Sequence, residues 1–335
     1  MDNIKLYLAP MEGITTYAYR RAYEHHFGNI DRYFTPFIAN KKMGKRDRDG
    51  ILPENNSAKE LVPQILTNST EDFLAICRAI APYGYKKVNL NLGCPSATVV
   101  GKKRGAGFLG EKERLEQFLE EVFEKSSMEI SLKTRIGLNE EDEWEELLAV
   151  YEKFPLEELI VHPRLRCDFY KGEIRFHAFE KAIKRIKVPL CYNGEINSLE
   201  DYLRVKERFP TITRFMIGRG ILRYPGLTEE IVSWEKERNQ GKEIPSYRES
   251  KTDREELLKR TRDFHDEILE EYKKIMSGDL NTLFKMKELW CYLGESFPGK
   301  EKSLKKIRKT NSLREYEIEV NSYFSHLSQL RCKSN

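Results

Sequence analysis

The sequence predicts a (β/α)8 TIM barrel, an α/β fold, followed by a C-terminal all-α region. Three observations carry this. Short β-rich runs recur roughly every thirty residues, amphipathic helical stretches lie between them, and nearly every run ends in polar or glycine-containing residues. The runs start near Ile4, Tyr33, Leu61, Lys87, Ile130, Glu158, Val188 and Arg214, and most are bracketed by Gly, Pro, Asn or Asp. Eight β-then-α units over about 230 residues fit a barrel, with a doubly wound sheet as the structural rival. The barrel is favoured because its enzymes build their sites at the C-terminal ends of the strands, where the unusual residues fall here.

Taken in order, the first run ends at Pro10-Met11-Glu12-Gly13, the third carries Gln64, and the fourth ends at Asn91 and Cys94. A helix is expected from Glu111 to Lys125. The fifth run carries Lys133 and Arg135, and a Glu-rich helix from Glu140 to Phe154 follows, with Trp144, Leu147, Leu148 and Tyr151 interleaved. The sixth run ends at His162-Pro163-Arg164, the seventh at Asn193-Gly194-Glu195 and the eighth at Gly218-Arg219-Gly220. After Trp234 the pattern changes. Residues 1–235 form the expected catalytic barrel; 236–253, polar and holding Gly241 and Pro245, read as a linker. Residues 254–335 read as a helical domain, with Leu257, Leu258, Phe264, Ile268, Leu269 and Tyr272 at helical spacing. Further helices are expected from Leu280 to Leu293 and from Leu313 to Leu330.

Of the 335 residues, 39% are hydrophobic and 33% charged, which describes a well-solvated globular chain. No run approaches the roughly 18 apolar residues of a membrane span, and no signal peptide is legible, so a cytoplasmic protein is expected. The six cysteines include no C-x-x-C pair, which argues against a zinc site or a disulfide framework and for reduced thiols, most of them buried. No metal is expected. No extended apolar helix face stands out, so a monomer is expected. There is no G-x-G-x-x-G after an early strand and no P-loop lysine, so a Rossmann or nucleotide-hydrolysing reading has no support.

Cys94 carries the first chemical reading. A lone cysteine is more often packing than chemistry, but this one lies in Asn91-Leu92-Gly93-Cys94-Pro95, just past a β-run. Gly93 permits close backbone approach and Pro95 fixes the exit of the chain. A thiol of ordinary pKa, about 8.5, is mostly protonated at pH 7 and can serve as a general acid. Lys133, inside a barrel strand, points either into the packed interior, which is costly, or to the mouth, and a cation here suits an anionic ring or a phosphate. His162 alone reads as a structural histidine; with Arg164 and Arg166 after it, the cluster reads as an anion or RNA contact. The glycine turns Asn193-Gly194-Glu195 and Gly218-Arg219-Gly220 follow the last two runs, where barrels commonly hold a phosphate on backbone N–H groups.

Lys41 to Arg48 holds five cations and one acid, Lys102-Lys103-Arg104 follows Cys94, and Lys300 to Lys309 holds six cations and one acid. Each alone reads as a solvated face. Two of them beside the expected mouth and one on the helical region fit a surface that tracks a phosphate backbone.

Together these motifs resemble the tRNA-dihydrouridine synthases. The residues that carry the resemblance are Ala9-Pro10-Met11-Glu12-Gly13, Gln64, Asn91-Leu92-Gly93-Cys94-Pro95-Ser96 with Gly105-Ala106-Gly107, and Lys133-Thr134-Arg135-Ile136-Gly137. His162-Pro163-Arg164, Asn193-Gly194-Glu195 and Ile217-Gly218-Arg219-Gly220 continue it in the family's order. The resemblance implies an FMN-bound barrel that reduces the C5–C6 bond of particular uridines in tRNA, with NADPH as electron source. It implies that Pro10, Met11 and Glu12 border the flavin, that Gln64, Lys133 and His162 contact it, and that Asn193, Gly194, Glu195, Gly218 and Arg219 hold its phosphate. Cys94 is then the proton donor and Asn91 orients the uracil, with Arg135, Arg164, Arg166 and Lys103 as further substrate contacts. The chain departs from the family pattern at Leu165, where Thr is usual and an RNA contact is expected, and at Glu195, where Asp is usual. Other readings are an FMN barrel acting on a small molecule, a synthase acting on rRNA, and an RNA-binding protein without chemistry.

Overall fold

The computed structural model describes residues 4–56, 59–241, 254–296 and 301–329. Nine parallel strands form one sheet: β1 (Lys5–Leu8), β2 (Arg32–Phe34), β3 (Leu61–Val62), β4 (Gln64–Ile65), β5 (Lys87–Leu92), β6 (Glu129–Arg135), β7 (Leu159–His162), β8 (Leu190–Tyr192) and β9 (Arg214–Ile217). Their order is β3-β2-β1-β9-β8-β7-β6-β5-β4. The two ends of that order are neighbours in the chain. Pro63 has no N–H to give a ladder, so it splits one expected strand into β3, paired with β2, and β4, paired with β5. The Pro63 carbonyl still accepts from the Asn89 N–H at 2.9 Å, so the break is closed across the junction. The result is a barrel of eight staves.

Side chains alternate along each strand, and this sorts the interior into layers. At the N-terminal end Glu158 is fully buried and bound by Tyr7, Arg32 and Arg214. Two residues on along the strands, Tyr7, Phe34, Ile160, Cys191 and Met216 form an apolar layer. Two further on, Lys133, His162, Asn193 and Gly218 reach the C-terminal mouth. The opposite faces, such as Leu90, Leu132 and Val161, pack outward in the main core.

The expected linker starts too early. The helix Leu227–Asn239 runs through 236–239, because Ile231 and Glu235 on its buried face continue the helical pattern. Residues 242–253 lie outside the described residues. Beyond them come helices Arg254–Ile275, Asp279–Leu293, Glu301–Lys309 and Leu313–Gln329. The third of these was legible only as a basic run; its Leu304 and Ile307 are buried and supply the apolar side of a helix.

This region is fastened to the barrel. Phe264 packs edge-on against Tyr19 and Tyr23 of the helix Tyr17–His26, and against Phe27 just past its end. Around that contact Thr16 bonds Tyr272, Tyr17 and Arg21 bond Glu271, and Arg260 pairs with Glu229.

The cysteine expectation needs correction. Cys77 and Cys191 are buried, but Cys167 and Cys291 are exposed and Cys94 is half-buried; all five are free thiols. Their positions on a loop, a helix face and a mouth turn decide this, and spacing carried no such signal. Among the described residues no helix is long and apolar enough to cross a membrane.

Candidate active site

The C-terminal ends of the strands open on a cavity of about 810 Å³, within the usual range for a small-molecule or cofactor site. Of the residues singled out in the sequence, Pro10, Met11, Glu12, Gln64, Asn91, Cys94, Lys133, Arg135, His162, Arg164, Asn193, Gly194, Glu195, Gly218 and Arg219 all line it. Arg166 and Lys103 do not. The Arg166 guanidinium lies over the Phe169 ring, and Lys103, exposed and at φ 52°, pairs with Glu111 at 2.8 Å.

One chain of carboxamides organises the floor. Asn89 donates to Ser131 Oγ, Gln64 to Asn89 Oδ1 and Asn91 to Gln64 Oε1, the last two at 2.8 Å. The remaining oxygen, Asn91 Oδ1, accepts the backbone N–H groups of Gly93 (3.0 Å) and Cys94 (2.9 Å). Asn91 therefore holds the turn that presents the thiol. Gly105 completes the turn at φ 55°; a Cβ there would meet the Cys94 carbonyl and Cβ at 3.0 and 3.1 Å.

Charge is arranged around the thiol. Burial pushes the Cys94 thiol above its ordinary pKa, more than Lys133 and Arg135 pull it down, so it is protonated at neutral pH. Burial and the nearby Arg135 pull Lys133 down to about 8. Among the described residues its ammonium has no hydrogen-bond or ion-pair partner. Burial, with Arg135 and Lys133, also holds His162 well below the usual histidine range, leaving it neutral.

Two of the arginines expected as substrate contacts line the cavity and also brace its loops. Arg135 is 1% exposed, and its guanidinium donates to the carbonyls of Gly93 (3.0 Å), Leu165 (2.7 Å) and Phe169 (2.5 Å). Arg164 is equally buried, donating to Gly172 O and pairing with Glu195 at 3.1 Å. Its Nη1 has no partner although buried. Glu195 bridges Arg164 and Arg219; burial opposes its charge, but the two guanidiniums hold its carboxyl below the usual range. The departure from Asp thus serves a span between two arginines as well as a turn. Leu165 is buried in the core, so its side chain packs rather than facing the mouth.

Sequence reasoning missed one wall. Phe169 and Tyr170, adjacent exposed aromatics, line the mouth, with Arg135 and Arg219 over the Tyr170 ring at 5.4 and 5.2 Å. Two aromatics together in a polar loop were a usable signal. Glu288, Cys291, Tyr292 and Glu295 come from the helical region, and no local pattern could have placed them there. Lys285 Nζ ties that wall to the Gly13 carbonyl at 2.9 Å, and Arg223 pairs with Glu295.

The basic runs are less free than their composition suggests. Lys41 pairs with Glu71, Lys45 with Asp49, and Arg46 with Glu12 and Asp47. On the third run, Lys302, Lys305 and Lys309 stay on the exposed face with no ion-pair partner among the described residues.

The chain is similar to proteins already known. A probable tRNA-dihydrouridine synthase 2 of Bacillus subtilis (strain 168) is 27% identical over 274 residues, covering 79% of each chain. The tRNA-dihydrouridine synthase B of Pasteurella multocida (strain Pm70) is 24% identical over 225 residues, 67% of each chain. Among solved structures, morphinone reductase superposes with a TM-score of 0.48 at 12% identity, over 76% of this chain and 88% of that one. The dihydrouridine synthase (Dus) family model matches residues 7–317, and the chain belongs to that family.

Proposed function

We propose that this chain reduces the C5–C6 double bond of uridines in tRNA to dihydrouridine, as a monomer, with FMN in the barrel mouth and NADPH as the reductant. The observation that carries the reading is a protonated thiol, Cys94, fixed on a turn in the same cavity as the unpartnered Lys133 ammonium. The residues fit an anionic flavin mononucleotide at two places. Lys133 offers a cation without a counter-charge, and Arg164 keeps a buried N–H group without an acceptor beside the glycine turns at Gly194 and Gly218.

When bound and reduced, the flavin supplies a hydride for C6 of the uracil. Cys94 Sγ gives a proton to C5, and its raised pKa keeps that proton in place at neutral pH. Lys133 stabilises negative charge in a water-poor cavity, where a fixed cation acts most strongly. Neutral His162 can donate one hydrogen bond without adding charge. A paired or stacked base cannot reach the mouth, so the uridine is extruded into it. In this reading the chain through the helix Leu227–Asn239 forms the catalytic domain, and the helical region that begins at Arg254 completes the wall and holds RNA with its exposed lysines.

The test is mass spectrometry of tRNA and rRNA from a strain lacking the gene. At least one tRNA dihydrouridine should disappear and return with the wild-type gene. Loss from rRNA alone would move the substrate to rRNA; no loss anywhere would end the proposal.

A further inference from the structure

Far from the cavity, the barrel and the helical region share a group of imidazoles and a carboxylate. His25 Nδ1 and His26 Nε2, at the end of the helix Tyr17–His26, both lie against Glu267 Oε2 of the helix Arg254–Ile275, at 2.8 and 2.9 Å. Adjacent residues on a helix diverge by about 100°, which normally keeps their side chains apart. Here the divergence is offset because His25 reaches with its near nitrogen and His26 with its far one. The rings sit 4.6 Å apart, tilted by 37°. All three donor atoms fall within 4.8 Å of one another.

We propose that His25, His26 and Glu267 form a site for a divalent transition-metal ion of the zinc class, which clips the helical region to the barrel. The donor set selects the ion. Two imidazoles and one carboxylate suit zinc, whereas calcium and magnesium prefer all-oxygen sites. Tetrahedral bonds of about 2.0–2.1 Å put neighbouring donors about 3.3 Å apart, so each imidazole nitrogen moves roughly half an ångström away from Glu267 Oε2 and the two nitrogens, within 4.8 Å of each other, settle to that same separation. His25 is 71% exposed, so the shift is open to it and a water can take the fourth position. Of the neighbouring cations, Arg260 pairs with Glu229 at 2.6 Å, while Arg21 pairs with Glu271 at 2.7 Å and lies 3.9 Å from Glu267 Oε1, the carboxylate oxygen that the imidazoles do not use. The sequence, weighed on cysteine spacing alone, argues against a zinc site and predicts no metal; the paired imidazoles facing a distant carboxylate come together only in the fold.

The ion would join two elements more than 200 residues apart in sequence at an interface already packed by Phe264, which meets the His26 ring edge-on. Its effect is therefore on how firmly the helical region is held, and it adds no group to the mouth.

The test uses the full chain, stripped with EDTA. Zn2+ is titrated by calorimetry and Co2+ by absorption, in the wild type and in His25→Ala and Glu267→Gln. One saturating ion per chain is expected, with Co2+ d–d bands and no intense thiolate charge-transfer band near 350 nm. Each variant should lose at least about tenfold in affinity, since even outer-sphere changes cost that much. Zn2+ should raise the Tm of the wild type and leave that of His25→Ala unmoved. His25→Ala removes an exposed side chain and keeps the fold, so it remains informative if Glu267→Gln is unstable. No saturable binding, a thiolate band, or unchanged affinity in His25→Ala would each overturn the proposal.

Discussion

Asn91 Oδ1 accepts the backbone N–H of Cys94 at 2.9 Å, so the carboxamide at the end of β5 sets where the thiol stands. The same oxygen binds the Gly93 N–H, and the amide nitrogen is anchored on Gln64. Replacing Asn91 with Ala frees the turn and leaves two N–H groups and the Gln64 oxygen short of partners. Uridine reduction should fall by about 10²-fold, in line with the cost of small displacements of a catalytic group. Reduction of the bound flavin by NADPH, followed by stopped-flow absorbance, should change far less. Equal losses in both would place Asn91 in the flavin site instead.

Cys94→Ala removes the proton donor and little volume. Turnover on uridine should drop by about 10²–10⁴-fold, the range of a lost general acid, with the flavin still bound and reducible. Because burial raises the thiol pKa, the wild-type rate should hold through neutral pH and decline only in the alkaline range. Unchanged turnover in the variant would remove Cys94 from the reaction.

Lys133 gives a separate pH signature. Its pKa is about 8 in the folded chain against an ordinary 10.5, so the unfolded chain binds more protons between those values. The contribution of this group to stability therefore rises with pH across that window. An anionic ligand reverses the preference and favours the charged form. FMN should bind more tightly below pH 8 than above it, with proton uptake on binding, as measured by calorimetry in two buffers of different ionisation enthalpy. Lys133→Met should abolish the proton uptake.

Glu158 lies at the other end of the barrel, fully buried among Tyr7, Arg32 and Arg214. Glu158→Ala leaves Arg214 without its carboxylate and Tyr7 Oη without its acceptor, while Arg32 keeps Glu60 and Glu157, and should destabilise the fold by about 1–3 kcal/mol. Urea unfolding followed by circular dichroism measures the loss. The activity of the remaining folded protein should be near normal, since the apolar layer separates this cluster from the mouth.

Phe264→Ala tests the seam between barrel and helices. The ring is fully buried against Tyr19, Tyr23 and Phe27, and its removal should cost about 3–5 kcal/mol. Tyr292 and Glu288 form the wall that depends on this seam, so tRNA turnover should suffer more than flavin reduction. A variant with both activities equally retained would show that the wall is held by Lys285 and Arg223 alone.

The sequence by itself determined the eight staves, their direction and the chemical types at the mouth. That information is local: a two-residue alternation carries Glu158, Ile160 and His162 up one face of β7 from charge, through apolar contact, to the cavity. Turn residues such as Gly93 and Pro95 then mark where each strand ends. Tertiary structure decided how the polar groups are spent. Arg135 and Arg164 look like free cations in sequence, yet burial forces their donors onto carbonyls and Glu195, because an unpaired buried charge is too costly to keep. Likewise the run from Lys41 to Arg48 reads as a basic patch until packing brings Glu71, Asp49 and Glu12 beside it. The wall formed by Glu288, Cys291, Tyr292 and Glu295 comes from the helical region, whose position depends on contacts with residues far away in the chain. Local patterns specify which face of an element is apolar, but only the packed fold specifies which distant charges meet.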